Sequence, residues 1–313
     1  MAKFDETFFE AEEREGFYIE SMMKRAWAAE IEVLEEIDRI CRKHGIKYFA
    51  DGGALLGAVR HKGFIPWDDD IDIAMLREDY ERFIWIAKEE LPKDFVIADA
   101  RISPWIHSEV KAICNGLEIG YEQNERWRRF HGFPFVAGVD IFVLDVLPQK
   151  KEQEELQCNL LLFLRTFKDK IRDKKNSEEE IEQTILQIES LLNVRINRDG
   201  NIQNEIQKLL DRICRIYETE DSEEITNLYW YLQHDDYRFK KEWYADSILM
   251  PFENLMVPVP KDYEKVLEVT YGKDYMVPKK MTQSHNYPFY KKQEEAWNEY
   301  VKKTMNNMTD ASK

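Results

Sequence analysis

The run from Gly52 to Met75 constrains this chain more than any other. It joins two adjacent glycines, a basic cluster at Arg60-His61-Lys62, and four aspartates that enter an alternating strand. Ile71, Ile73 and Met75 alternate with Asp70, Asp72 and Ala74. Alternate residues of a strand share a face, so Asp70 and Asp72 project together while the apolar set packs inward. Neighbouring carboxylates repel unless a cation lies between them. Hard divalent ions such as Mg²⁺ or Mn²⁺ prefer such oxygen ligands and share them with substrate phosphates. The Gly52-Gly53 pair precedes an Ala/Leu-rich turn of helix, an arrangement that offers backbone N–H groups to a phosphate. Together these features point to metal-dependent phosphoryl or nucleotidyl transfer.

A second acid stands in an apolar strand, Val139-Asp140-Ile141-Phe142-Val143-Leu144. Burying a lone carboxylate there is costly without a cation or partner. Asp140 is therefore the expected third metal ligand and the acceptor of the attacking hydroxyl's proton, beside Asp70 and Asp72. Asp145, at the strand exit, reads as structural. Asp68 and Asp69 read as loop-shaping residues, with Asp69 facing away from its two neighbours. EF-hand spacing is absent. Of the basic cluster, Arg60 or Lys62 is expected to contact a phosphate. Trp67 reads as core. The aromatic segments Tyr229-Trp230-Tyr231 and Trp243-Tyr244 read as helix packing, from which one member lines the site if the donor is a quaternary ammonium.

The surrounding pattern is α+β, one mixed-sheet core with N-terminal helices and a helical insertion. Apolar residues at helical spacing (Met22, Ala26, Ala29, Val33, Ile37, Ile40) predict helix from about Glu6 to His44, divided at Gly16 and closed by Gly45. A short strand over 46–50 and a helix over 55–60 follow. The spacing then predicts a helix from Arg77 to Glu90, and strands over 95–100, 109–114 and 139–144. Residues 151–231 read as three or four charge-rich helices, with a capping box at Ser177 and Glu180. A hairpin over 248–259, a helix after Pro260 and a last helix near 293–303 complete the chain. The expected organisation is a catalytic core within 1–150, a helical region over 151–240, and a hairpin and helical tail over 241–313.

With a net charge of −16 the chain lacks the basic footprint of a duplex binder, and no nucleic-acid partner is expected. No apolar run approaches the roughly 20 residues that cross a bilayer. The four scattered cysteines form no CxxC pair and read as reduced thiols. The expected location is cytoplasmic, or peripheral at the inner face of a membrane.

These motifs resemble the LicD family of phosphocholine transferases, relatives of the fukutin-type phospho-alditol transferases. Almost every position from Gly52 to Met75 fits, as do Val139 to Asp145, Val257 to Tyr263 and Tyr271 to Met276. The resemblance implies a nucleotidyltransferase-like fold. It also implies transfer of a phosphocholine-type group from a CDP-activated donor, CDP-choline foremost, to a hydroxyl of a glycan or lipid-linked sugar. Family members decorate teichoic acid or lipopolysaccharide. On family grounds Lys111 and His285 join Gly52, Gly53, Arg60 and Lys62 as substrate-binding candidates. Where the family often has Lys followed by Asn-Thr, this chain keeps Lys111 and Asn115 but has Gly116. A nucleotidyltransferase releasing pyrophosphate, and a non-catalytic glycan-binding scaffold, are the alternatives.

Overall fold

The computed structural model describes residues 3–173, 177–279 and 287–311, with side chains to residue 303. A single 3₁₀ turn over Glu6–Phe9 comes first, and then a short hairpin, β1 (Glu12–Arg14) and β2 (Phe17–Ile19), stands where the sequence pattern predicted helix. Glu15 and Gly16 both take positive φ (51° and 69°), so Gly16 forms a hairpin turn where it was read as a helix break. The long helix α1 (Ser21–His44) follows and ends as anticipated on Gly45 in the left-handed conformation.

Strand β3 is reduced to Phe49–Ala50, and α2 (Gly52–Arg60) begins at the glycine pair itself. Strand β4 (Ile71–Leu76) runs directly into α3 (Arg77–Glu90), whose bounds match the sequence pattern. Then come β5 (Val96–Ala98), β6 (Lys111–Cys114), the short helix α4 (Glu125–Arg129) and β7 (Gly138–Val146). The order β3-β4-β7-β6-β5 places β4 and β7 at the centre, paired in parallel, while the other neighbours pair antiparallel. The fold is thus α+β with a mixed sheet.

Helices α5 (Lys151–Arg172), α6 (Glu178–Leu192) and α7 (Ile202–Cys214) form the helical region, and Ser177 caps α6 in the expected box with Glu180. The sequence pattern did not reveal β8 (Glu224–Thr226), which pairs with the end of β7. After the single-turn helix α8 (Leu228–Tyr231) comes β9 (Phe239–Lys240), paired with β8. A separate hairpin, β10 (Ser247–Phe252) and β11 (Leu255–Pro260), leads to α9 (Tyr263–Tyr271) and α10 (Lys291–Ala311).

Apolar burial, the main source of stability, is divided between two cores. The larger joins α1, α2, α3, the central strands and the β10–β11 hairpin, with Trp27 stacked on Phe64 at 4.5 Å. The smaller is drawn from residues between Leu147 and Leu232, where α5, α6 and α7 meet α8. Among the described residues no helix is long and apolar enough to cross a membrane.

Candidate active site

The register of the two central strands sets the site. Asp72 on β4 lies directly opposite Asp140 on β7, and residues paired across parallel strands share a face. Both stay partly exposed between fully buried neighbours, Ile71, Ile73, Val139 and Ile141. Strand β4 begins only at Ile71, so the alternation does not extend back through the aspartate run. Asp68, Asp69 and Asp70 instead follow a turn that brings one carboxylate oxygen of each within 4.8 Å of the others. Asp69 is fully buried, and its Oδ2 accepts the Phe289 N–H at 2.5 Å. The expectation that Asp69 faces away from its neighbours fails for this reason: a turn has no period of two.

The glycine pair is explained by the same carboxylates. Gly52 has a φ of +50°, and a Cβ there would lie 2.9 Å from Asp72 Oδ2. A Cβ on Gly53 would lie 2.1 Å from Asp68 Oδ2. Any side chain at either position would push a carboxylate aside. The start of α2 and the aspartate run are therefore built against each other.

This junction opens into a cavity of about 580 Å³. Among the described residues its lining holds Asp51, Asp68, Asp70, Asp72, Asp236 and Asp274, against the basic side chains Arg60, Lys279 and His234. An anionic substrate meets net repulsion there unless cations accompany it. Burial and the facing Asp70 carboxylate hold both Asp68 and Asp72 well above the usual carboxylate range. Burial pushes Asp51 up to about 6. The lining is also aromatic, with Trp67, Trp230, Tyr237, Tyr271 and Tyr275.

Asp51 gives a pH-dependent expectation. With the folded value above the unfolded one, stability is fully present below about pH 4 and falls as pH rises through about 6, by about 3 kcal/mol in total. Asp51→Asn should therefore gain stability over the parent by about that amount between pH 4 and 7. Paired urea titrations in chelator measure the difference, and a gap that does not change with pH refutes it.

The candidate residues divide sharply. Gly52, Gly53, Arg60, Asp70 and Asp72 line the cavity, and Arg60 Nη1 also donates to the Tyr275 carbonyl at 2.7 Å. Asp140 lies beside them through its pairing with Asp72. Lys62 does not join them: it is exposed, and its carbonyl accepts the Glu253 N–H at the β10–β11 turn. Lys111 pairs with Ile141, so it lies on the sheet face opposite Asp72 and Asp140. It is 6% exposed and bonded to Asp211 at 3.1 Å and Asp99 at 3.4 Å. Asn115 is equally structural, its Oδ1 accepting the Ala137 N–H. His285 lies outside the described residues.

Trp67, read as core, is 9% exposed yet reaches the cavity wall. Of the two aromatic segments, Trp230 lines the cavity, whereas Trp243 packs under Lys265. Asp236, Tyr237 and Tyr271 were not foreseen. Their signal is long-range, because β8 pairing on β7 carries the following segment over the site.

Residues 45–166 match the LicD/FKTN/FKRP nucleotidyltransferase-domain family. Within curated proteins, 54 residues are 50% identical to the lipopolysaccharide cholinephosphotransferase LicD of Haemophilus influenzae, spanning 17% of this chain and 20% of that protein. A further 35 residues are 51% identical to the ribitol 5-phosphate transferase FKRP of Homo sapiens, spanning 11% of this chain and 7% of that protein. The uncharacterized protein RT0683 of Rickettsia typhi is 35% identical over 83 residues, 26% of this chain and 24% of its own length. The chain thus matches about a quarter or less of each of these relatives, and the family match over 45–166 includes Asp72 and Asp140. With the sheet, the glycine junction and the carboxylate pair in place, residues 45–166 of this chain are similar to the nucleotidyltransferase domain of the LicD/FKTN/FKRP family.

Proposed function

We propose that the chain transfers a phosphocholine-type group from a CDP-activated donor, CDP-choline foremost, to a sugar hydroxyl of a cell-surface glycan precursor. The observation that carries this reading is the in-register Asp72–Asp140 pair beside an acidic cavity with an aromatic wall. The donor set fits a hard divalent cation, because the like charges of Asp70 on the turn and Asp140 on β7 act on Asp72 in a cavity rich in carboxylates. Asp70, Asp72 and Asp140 would hold Mg²⁺ or Mn²⁺, which when bound supplies charge neutralisation on the diphosphate.

The protein's own groups do the rest. The Gly52-Gly53 backbone and Arg60 position the non-reacting phosphate. Asp140 takes the proton of the acceptor hydroxyl, whose oxygen attacks the choline-bearing phosphorus. The bond from that phosphorus to the bridging oxygen breaks, and CMP departs with that oxygen. Positioning and electrostatics supply the rate, with no covalent enzyme intermediate. The aromatic wall with Asp236 and Asp274 suits a quaternary ammonium, which is attracted to ring faces.

Incubation with CDP-choline, Mg²⁺ and a glycan acceptor should release CMP and no pyrophosphate. Release of pyrophosphate would assign the chain to nucleotidyl transfer instead. Trp230→Ala should raise KM for CDP-choline about tenfold while leaving kcat nearly unchanged. An unchanged KM for CDP-choline would remove Trp230 from head-group recognition.

A further inference from the structure

Helix α1 carries three buried charges that the proposed mechanism does not use, Lys24, Glu30 and Glu32. Two of them are matched. Lys24 pairs with Glu12, and Glu32 Oε1 accepts from His131 Nε2 at 2.8 Å. Glu30 differs. It is 1% exposed, and its Oε2 has no hydrogen-bond partner among the described residues. Helix α1 passes directly under the aspartate turn, where Trp27 Nε1 donates to the Asp68 carbonyl at 3.1 Å. One helical turn on from Trp27, Glu30 shares that helix face, and burial together with the like charges of Asp70, Asp69, Asp68 and Asp140 holds its carboxyl well above the usual range. A buried carboxylate set against other carboxylates is among the costliest arrangements a fold can hold without a counter-charge.

We propose that Glu30 closes a second, buried site for a hard divalent cation with the Asp68-Asp69-Asp70 turn, behind the ion held by Asp72 and Asp140. The geometry supplies what such a site needs. Three turn carboxylates already converge within 4.8 Å, and the buried Glu30, its Oε2 without a hydrogen-bond partner among the described residues, lies on the face of the helix that packs beneath them. Asp69 is oriented by the Phe289 N–H on Oδ2, as outer hydrogen bonds commonly orient metal-binding carboxylates. An all-oxygen, mostly anionic donor set selects ions such as Mg²⁺, Mn²⁺ or Ca²⁺ over softer metals. Asp70 then stands between the two ions and couples them. This inference rests on the reading that Asp72 and Asp140 hold a cation.

Titration of the full chain with Mn²⁺, counted by electron paramagnetic resonance, tests it. The parent is expected to bind two ions and Glu30→Gln one, or to bind the second about tenfold or more weakly. Asp72→Asn/Asp140→Asn, which leaves the turn and Glu30 intact, should also retain one ion, and this arm stands even if Glu30→Gln fails to fold. Glu30→Gln binding both ions as the parent does would overturn the site, as would the double variant binding none. A parent with a single ion, lost in the double variant, removes the buried site but leaves the proposed function standing. A parent that binds no Mn²⁺ removes both.

Discussion

Asp72→Asn is expected to lower turnover by about 10³-fold or more, because on the proposed function several kcal/mol of transition-state charge stabilisation would depend on an ion that Asp72 would help to hold. The change is nearly isosteric, and the carboxamide removes one of the like charges that Asp72 now faces in Asp70, Asp140, Asp51 and Asp68. In chelator the variant should therefore melt at or above the parent's temperature, and added Mg²⁺ should raise that temperature less than it raises the parent's. The combination separates a lost ligand from a lost fold. Near-parental kcat with intact Mg²⁺ stabilisation would take Asp72 out of the metal site, and with it the register argument on which the transfer reading stands.

Arg77→Met is expected to be the most damaging single change to stability. Arg77 stands at the exit of β4 and grips Asp145, at the end of β7, through two hydrogen bonds of 2.7 and 2.9 Å. Its third nitrogen reaches Asp211 on α7 at 3.2 Å. All three side chains are no more than 7% exposed. This bridge fixes the strands that carry Asp72 and Asp140 and ties the helical region to them. Removing one partner of a buried pair strands the other charge and costs roughly 3–5 kcal/mol. For a chain of this size that corresponds to roughly 5–8 °C in Tm. Arg77→Met/Asp145→Leu should recover most of the loss, since no unpaired charge remains at the strand exits. Differential scanning calorimetry of both variants reads this directly. A single variant within about 1 kcal/mol of the parent would show the bridge to be dispensable.

Much of this architecture was readable before any coordinates. The apolar alternation around Asp72 and Asp140 marked the two central strands, and the stripe through Tyr80, Phe83, Ile84 and Ala87 marked α3 with its bounds. Gly45 and the Ser177–Glu180 box marked helix ends, because caps are local hydrogen-bond chemistry. Misreadings arose where local signals were ambiguous. Residues 12–19 hold a helix-compatible composition, but positive φ at Glu15 and Gly16 makes a hairpin. Strands β8 and β9 span only three and two residues, too few for any period to show.

For the site, strand alternation and glycine geometry, properties of a few consecutive residues, placed Asp72, Asp140 and the glycine pair together, whereas Asp70, read as part of the strand, stands in the turn before it. Partnership across the fold was another matter. Lys111 reads as a ligand contact in one dimension, yet strand register turns it to the far face of the sheet and into the Asp99–Asp211 cluster. Trp230, Asp236 and Tyr271 reach the cavity only because β8 and α9 are packed there by contacts far apart in the chain. Glu30 is one more polar position on an amphipathic helix until α1 is laid under the aspartate turn. Local backbone preference is written in neighbouring residues, whereas the surroundings of a charge depend on every element folded around it.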